Sequence, residues 1–144
     1  MSSAVHLDGS EPIADEEMLY RRIPVSPGWY NPAIDSKPLF QAFRPRPDDV
    51  TGLSVLRGGP YNTVEQAAQG SSKSGYYVLI LRAGDLRAHG IDVVPRPIED
   101  HSGHAEISNL TAANRDSDEA QRIMELLAEK LCLRVEGPFH AAAP

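Results

Sequence analysis

A single cysteine, Cys132, stands among 144 residues, so no internal disulfide can form, and an unbridged thiol favours a reducing compartment. The expected location is cytoplasmic. No stretch approaches the ~20 consecutive apolar residues of a membrane-spanning helix. The opening "MSSAVHLDGSEPIADEE" lacks the basic start and the apolar run of about 7–15 residues that make a secretory signal. Excess positive charge is also missing: the formal net charge is −6, which argues against broad, phosphate-driven nucleic-acid binding. No CxxC and no HExxH occurs, and neither Ser54 nor Cys132 lies in a G-x-S-x-G elbow. "GGPYNT" has neither the lysine nor the spacing of a phosphate-cradling loop, and "GSSKSG" does not join a strand to a helix, so nucleotide binding by those routes is disfavoured. No internal repeat or heptad pattern is visible.

The charge that is present is unevenly spread. Residues 1–17 carry Asp8, Glu11, Asp15, Glu16 and Glu17 without a lysine or arginine, whereas residues 18–57 carry Arg21, Arg22, Lys37, Arg44, Arg46 and Arg57 against Asp35, Asp48 and Asp49. An acidic, flexible tail followed by a locally basic stretch is expected. That stretch is either an anion-binding surface or a mixed solvated one.

Hydrophobic patterning describes one domain over residues 18–136, with residues 137–144 as a loose tail. "MLYRRIP" alternates as a short strand, and "SPGWYNP" after it supplies turn chemistry around Trp29 and Tyr30. "KPLFQAF" alternates too, and the prolines of "RPRPDD" make a rigid connector. "GLSVLRGG" reads as a strand, and "TVEQAAQG" as a helical fragment with Thr63 as N-cap and Gln66 at the capping-box position. "YYVLIL" has the continuous apolar character of a strand buried on both faces, placed mid-sheet. A turn closed by Gly90 follows, then strands in "IDVVP" and "GHAEISNL". "DSDEAQRIMELLAEKL" is the clear amphipathic helix, with Asp116 as the expected cap and Ala120, Ile123, Met124, Leu127 and Leu131 on one face. The fold class is therefore α+β: a mixed or antiparallel sheet of about four or five strands with one long C-terminal helix packed on it.

Chemistry concentrates in "EDHSGHAEISNL". His104 and Glu106 are two apart on a strand and share a face, as a base and its orienting carboxylate require, while His101 lies in the preceding loop. A metal centre needs three or four converging ligands. His6, His89 and His140 are scattered, so no metal is expected. The remaining readings of the cluster are a catalytic or ligand-binding pair and an ordinary strand end. For anions, Arg44 and Arg46 in the proline-held loop are candidates, with Arg21 and Arg22 on the first strand, because guanidinium binds phosphate or carboxylate bidentately.

The order Arg21 or Arg22, then Ser54 in "GLSV", then Glu106 in "HAEI" resembles the Arg–Ser–Glu order of ADP-ribosyltransferases. That resemblance implies an Arg holding the phosphates of NAD, a Ser supporting the nicotinamide ribose and a Glu acting where positive charge develops on it. The layout "LYRR … FRPRPDD … GLSV … HAEI" is also similar to small uncharacterised bacterial proteins and implies no activity.

The leading expectation is a non-enzymatic module that recognises a protein partner or an anionic small molecule through Arg21, Arg22, Arg44, Arg46, Trp29 and Tyr30, without a cofactor. The alternative is a small enzyme built on Glu106, His104 and Ser54, with NAD as its cofactor in the ADP-ribosyltransferase-like version. The two separate on geometry: whether Arg22, Ser54 and Glu106 share a cleft, and whether the basic side chains converge.

Overall fold

A computed structural model describes residues 8–99 and 101–140. Six strands, β1 (Met18–Pro24), β2 (Leu53–Arg57), β3 (Tyr76–Arg82), β4 (Val93–Pro95), β5 (His104–Ile107) and β6 (Arg134–Phe139), form one sheet in the order β4-β5-β2-β1-β3-β6. Every pairing is antiparallel. The helices are α1 (Val64–Ala67), α2 (Ala83–Ala88) and α3 (Asp118–Leu126). Phe40–Phe43, despite its alternation, is a turn of 3-10 helix.

The α+β class and the antiparallel sheet match the sequence reading, and four details differ. The sheet has six strands, because "RVEGPF" pairs with β3 where a loose tail had been expected from residue 137. The "YYVLIL" strand is buried on both faces, but it sits next to the edge strand β6, and β1 and β2 occupy the centre. The final helix is short: α3 ends at Leu126 and a π turn, Leu127–Leu131, carries the same apolar face to Cys132. The Cys132 N–H donates to Leu127 O, five residues back. The cap of α3 is Ser117, whose hydroxyl accepts from Ala120 N at 3.1 Å, and Asp116 turns outward to Arg44.

Strand alternation divides the sheet into two unequal faces. Leu19, Ile23, Leu53, Val55, Leu79, Leu81, Ala105 and Ile107 project to one side, where Ala120, Ile123, Met124 and Leu127 cover them in the main core. Trp29 and Tyr30 pack at the margin of that core, with Tyr30 edge-on to Tyr77 at 4.8 Å between ring centroids. On the other side only Tyr20, Tyr76, Val78 and Ile80 are roofed, by Ala67 and Ala68 at the end of α1. Among the described residues the rest of that face has no further buried apolar cluster over it.

Residues 8–17, read from the sequence as part of a tail, are tied to the body. Ile13 is buried, and Arg57, 2% exposed, donates to both carboxylate oxygens of Glu17 (2.7 and 2.9 Å) and to the carbonyls of Gly9, Glu11 and Pro12. The same segment serves α2, which has no side-chain cap: Ala83 N–H donates to Glu17 O at 3.0 Å and Gly84 N–H to Asp15 O at 2.7 Å. Those amides would otherwise be unpaired helix-start donors.

Candidate functional site

The open part of the second face contains a cavity of about 670 Å³. Its position follows from a short ladder: β1 and β2 pair only through Leu19↔Arg57 and Tyr20↔Leu56, whereas β2 pairs with β5 from Leu53 to Leu56. Beyond Tyr20 a side chain does the work of the missing main-chain bonds. Arg21 Nε donates to Ala42 O and its Nη1 to Ser54 O, both at 3.0 Å. Burial pulls the Arg21 pKa down to about 10, against the attraction of Asp49, which leaves it protonated near neutrality.

Because Tyr20 and Leu56 are paired, Arg22, Ser54, His104 and Glu106 all project to the open face. Arg22, Ser54 and His104 line the cavity, together with Arg21, Arg46 and His101. Glu106 is opposite Ser54 in the ladder but is not among the lining residues, because its Oε1 is taken by Thr51 Oγ1 at 2.7 Å and Arg96 Nε at 3.2 Å. His104 is therefore not oriented by Glu106. Its Nδ1 lies 2.8 Å from Arg96 O and its Nε2 2.7 Å from Ser54 Oγ. A carbonyl can only accept, so Nδ1 carries the proton, and in the neutral imidazole Nε2 accepts from the Ser54 hydroxyl.

The six residues expected to bind a ligand divide into two groups. Arg21, Arg22 and Arg46 line the cavity. Arg44 is paired with Asp116 at 2.6 Å beside the start of α3, and Trp29 and Tyr30 pack against the core on the opposite face of the sheet. Among the described residues no group of three or more His, Cys, Asp or Glu side chains could hold a metal ion.

Charge pairing separates the cavity arginines from most of the others. Arg44, Arg57, Arg82, Arg87, Arg96, Arg122 and Arg134 each have an ion-paired carboxylate. Among the described residues the arginines without one are Arg21, Arg22, Arg46 and Arg115, and the first three share the cavity. The Arg22 guanidinium lies over the Tyr76 ring at 4.6 Å, and its N–H donors, like those of the Arg46 side chain, meet no hydrogen-bond partner among the described residues. Asp48 and Asp49 also line the space, with Gln66, Gln69, Ser71 and Ser72, so the wall is mixed. A second depression, about 480 Å³ between Arg87, Gly90, Ile91, Asp92, Ser108 and Asn109, holds none of the expected site residues, and its arginine is already paired with Asp15.

Sequence reasoning missed Arg96, Thr51 and the Gln66–Ser72 wall. "RPIED" has no periodicity to mark it, and "GSSKSG" reads only as a loop. A scan against family models finds no match, and no curated protein or solved structure is significantly similar to the chain.

Proposed function

We propose that this protein is a binding module for an anionic, polar small molecule, held in the cavity by Arg21, Arg22 and Arg46. The supporting observation is that, among the described residues, these three arginines share one cavity without an ion-paired carboxylate, with the side-chain donors of Arg22 and Arg46 unspent, while most of the others are paired. Guanidinium donors left unspent in a concave site are the chemistry that phosphate or carboxylate recognition uses. The volume suits a small molecule better than a protein segment, and the two aspartates with the glutamine and serine side chains suit a ligand with further polar groups. A cytoplasmic setting agrees with the one unbridged thiol, and among the described residues no helix is long and apolar enough to cross a membrane.

An NAD-dependent, ADP-ribosyltransferase-like reaction has its Arg and Ser in the cavity, but its Glu106 is engaged by Thr51 and Arg96 outside the lining. The test is thermal denaturation with phosphate, pyrophosphate, succinate, citrate, AMP and NAD. A ligand at 100 times its Kd adds about 2.7 kcal/mol of stability. Arg22→Ala and Arg46→Ala should each weaken the binding anion about tenfold or more, since a hydrogen bond to a charged group contributes about 1.5–3 kcal/mol. Stabilisation that survives the double substitution would place the ligand elsewhere, and the absence of any stabilising anion would refute the reading.

A further inference from the structure

The geometry points to Ser54 as a nucleophile activated by His104, which would make the cavity a site of acyl transfer from esters or thioesters that carry an anionic group. The substrate class rests on the anion-binding reading above, but the activation of Ser54 does not. Three observations carry the inference. Ser54 Oγ and His104 Nε2 are 2.7 Å apart, within the range required of a nucleophile and its general base. The bond from His104 Nδ1 to Arg96 O fixes the tautomer that leaves Nε2 free to take a proton, with a main-chain carbonyl in the orienting role that a carboxylate fills in a triad. Both residues line the cavity that holds the guanidinium groups of Arg22 and Arg46, which have no ion-paired carboxylate among the described residues.

Rigid elements hold the pair in place. Ser54 and His104 lie on adjacent strands, with Leu56 paired to His104 and Ser54 to Glu106. On the side of β2 where the ladder to β1 has ended, Arg21 Nη1 holds the main-chain oxygen of Ser54. Arg21 is thus a positioning residue, and Glu106 keeps Arg96 beside the same strand through its ion pair.

In the reaction, Ser54 Oγ bonds to the acyl carbon while its proton passes to His104 Nε2. The bond from that carbon to the leaving oxygen or sulfur then breaks, and the leaving group takes the proton from Nε2. Water then attacks the acyl carbon, its oxygen bonding there as one of its protons passes to Nε2; the bond from that carbon to Ser54 Oγ breaks, Oγ recovers a proton from Nε2, and the acyl group leaves as the carboxylic acid. The charge that develops on the carbonyl oxygen forms in a cavity where Arg22 has donors to spare. No oxidant, reductant or metal enters the balance.

The test uses the full chain with a fluorophosphonate label, read by peptide mass, and with two esters: mono(4-nitrophenyl) succinate, which carries a carboxylate, and neutral 4-nitrophenyl acetate. The label should attach at Ser54 with loss of fluoride and be absent from Ser54→Ala. His104→Gln should slow labelling and ester turnover about 100-fold or more, the usual contribution of a general base. The succinate ester should be preferred, and Arg46→Ala should remove that preference. If His104→Gln does not fold, Ser54→Cys replaces it: iodoacetamide should then alkylate position 54 near neutral pH faster than it alkylates free cysteine. An unlabelled wild type, or labelling that His104→Gln leaves unchanged, overturns the nucleophile, and the anion-binding reading stands if phosphate or succinate still stabilises the protein. Labelling at Ser54 without any anion effect keeps the nucleophile and overturns the anionic substrate class.

Discussion

Replacing Arg57 by methionine keeps an apolar stem of similar length and removes all five side-chain hydrogen-bond donors. With residues 8–17 left in place, Glu17, 14% exposed, would lose both of its charge-assisted bonds, and the carbonyls of Gly9, Glu11 and Pro12 would lose their donor. Breaking a buried ion pair from one side costs about 3–5 kcal/mol. The chain has a cheaper response, which is to release the segment. Release exposes Ile13, at about 2 kcal/mol of lost apolar burial, and frees the Ala83 and Gly84 amides, but it rehydrates the carboxylate and returns backbone entropy. The expected loss is therefore about 3 kcal/mol, near the low end of the pair-breaking range. At a melting-temperature change of very roughly 3–5 °C per kcal/mol for a domain of this size, Tm should fall by about 10 °C. Hydrogen exchange provides the local readout, because the Ala83 and Gly84 amides donate to Glu17 O and Asp15 O and should lose their protection before the strands do. Replacing Glu17 by methionine as well should recover part of the loss, since an apolar pair leaves no stranded charge. A Tm within about 3 °C of wild type, with both amides still protected, would refute the clamp.

Two further predictions concern α3 and the thiol behind it. Ser117→Ala should cost about 1 kcal/mol, because it removes the hydroxyl that caps Ala120 N. Asp116→Ala should cost clearly less than Ser117→Ala, as its bond to Arg44 is an exposed pair; urea titration of both variants checks the order, and a larger loss at Asp116 would restore it as the cap. Burial pushes the Cys132 thiol up to about 11, so folding favours the neutral form. The stability this brings is complete below the thiol's ordinary range, near pH 8.5, and is lost as pH rises toward 11, by roughly 3 kcal/mol in all. Urea midpoints at pH 8 and pH 10.5 should therefore fall further in wild type than in Cys132→Ala, and parallel falls would show that the thiol contributes nothing to the pH dependence.

What the sequence made legible is what local chemistry dictates. Thr63 and Gln66 form the reciprocal capping box their spacing implies, Thr63 N to Gln66 Oε1 at 2.8 Å and Gln66 N to Thr63 Oγ1 at 3.1 Å. The turn after α2 does close at Gly90, with φ +72°. The shared face of His104 and Glu106 follows from the two-residue strand period, and the structure keeps it. What they bond to could not be read in that way, because Arg96 O, Ser54 and Thr51 reach the cluster through pairing and loop geometry. The same limit applies to β6: "RVEGPF" carries little apolar signal of its own and becomes a strand because β3 presents an edge to pair with. For the arginines, composition showed a basic stretch, but only pairing across the fold separates Arg44, engaged at α3, from Arg22 and Arg46.

The clamp at Arg57 and the pair at Ser54 are linked through the chain between β4 and β5. Gly9, at φ +93°, lies so close to this connection that a Cβ there would overlap Ser102 O and stand 2.7 Å from the Pro97 side chain. The connection begins at Arg96, whose carbonyl orients His104, and it is held further by the mutual main-chain bonds of Ile98 and His101, 3.1 and 2.9 Å long. Releasing residues 8–17 would remove the packing on Pro97 and Ser102 while leaving β2 and β5 paired. His104 would then keep its strand position and lose part of the support for its tautomer. Arg57→Met should consequently slow fluorophosphonate labelling of Ser54 even at temperatures where the sheet is fully folded, while anion binding by Arg22 and Arg46 changes little, because those residues stand on β1 and on the proline-held loop. Labelling at the wild-type rate in a variant whose Ala83 and Gly84 amides have lost protection would show that the hairpin holds Arg96 without help from the N-terminal segment.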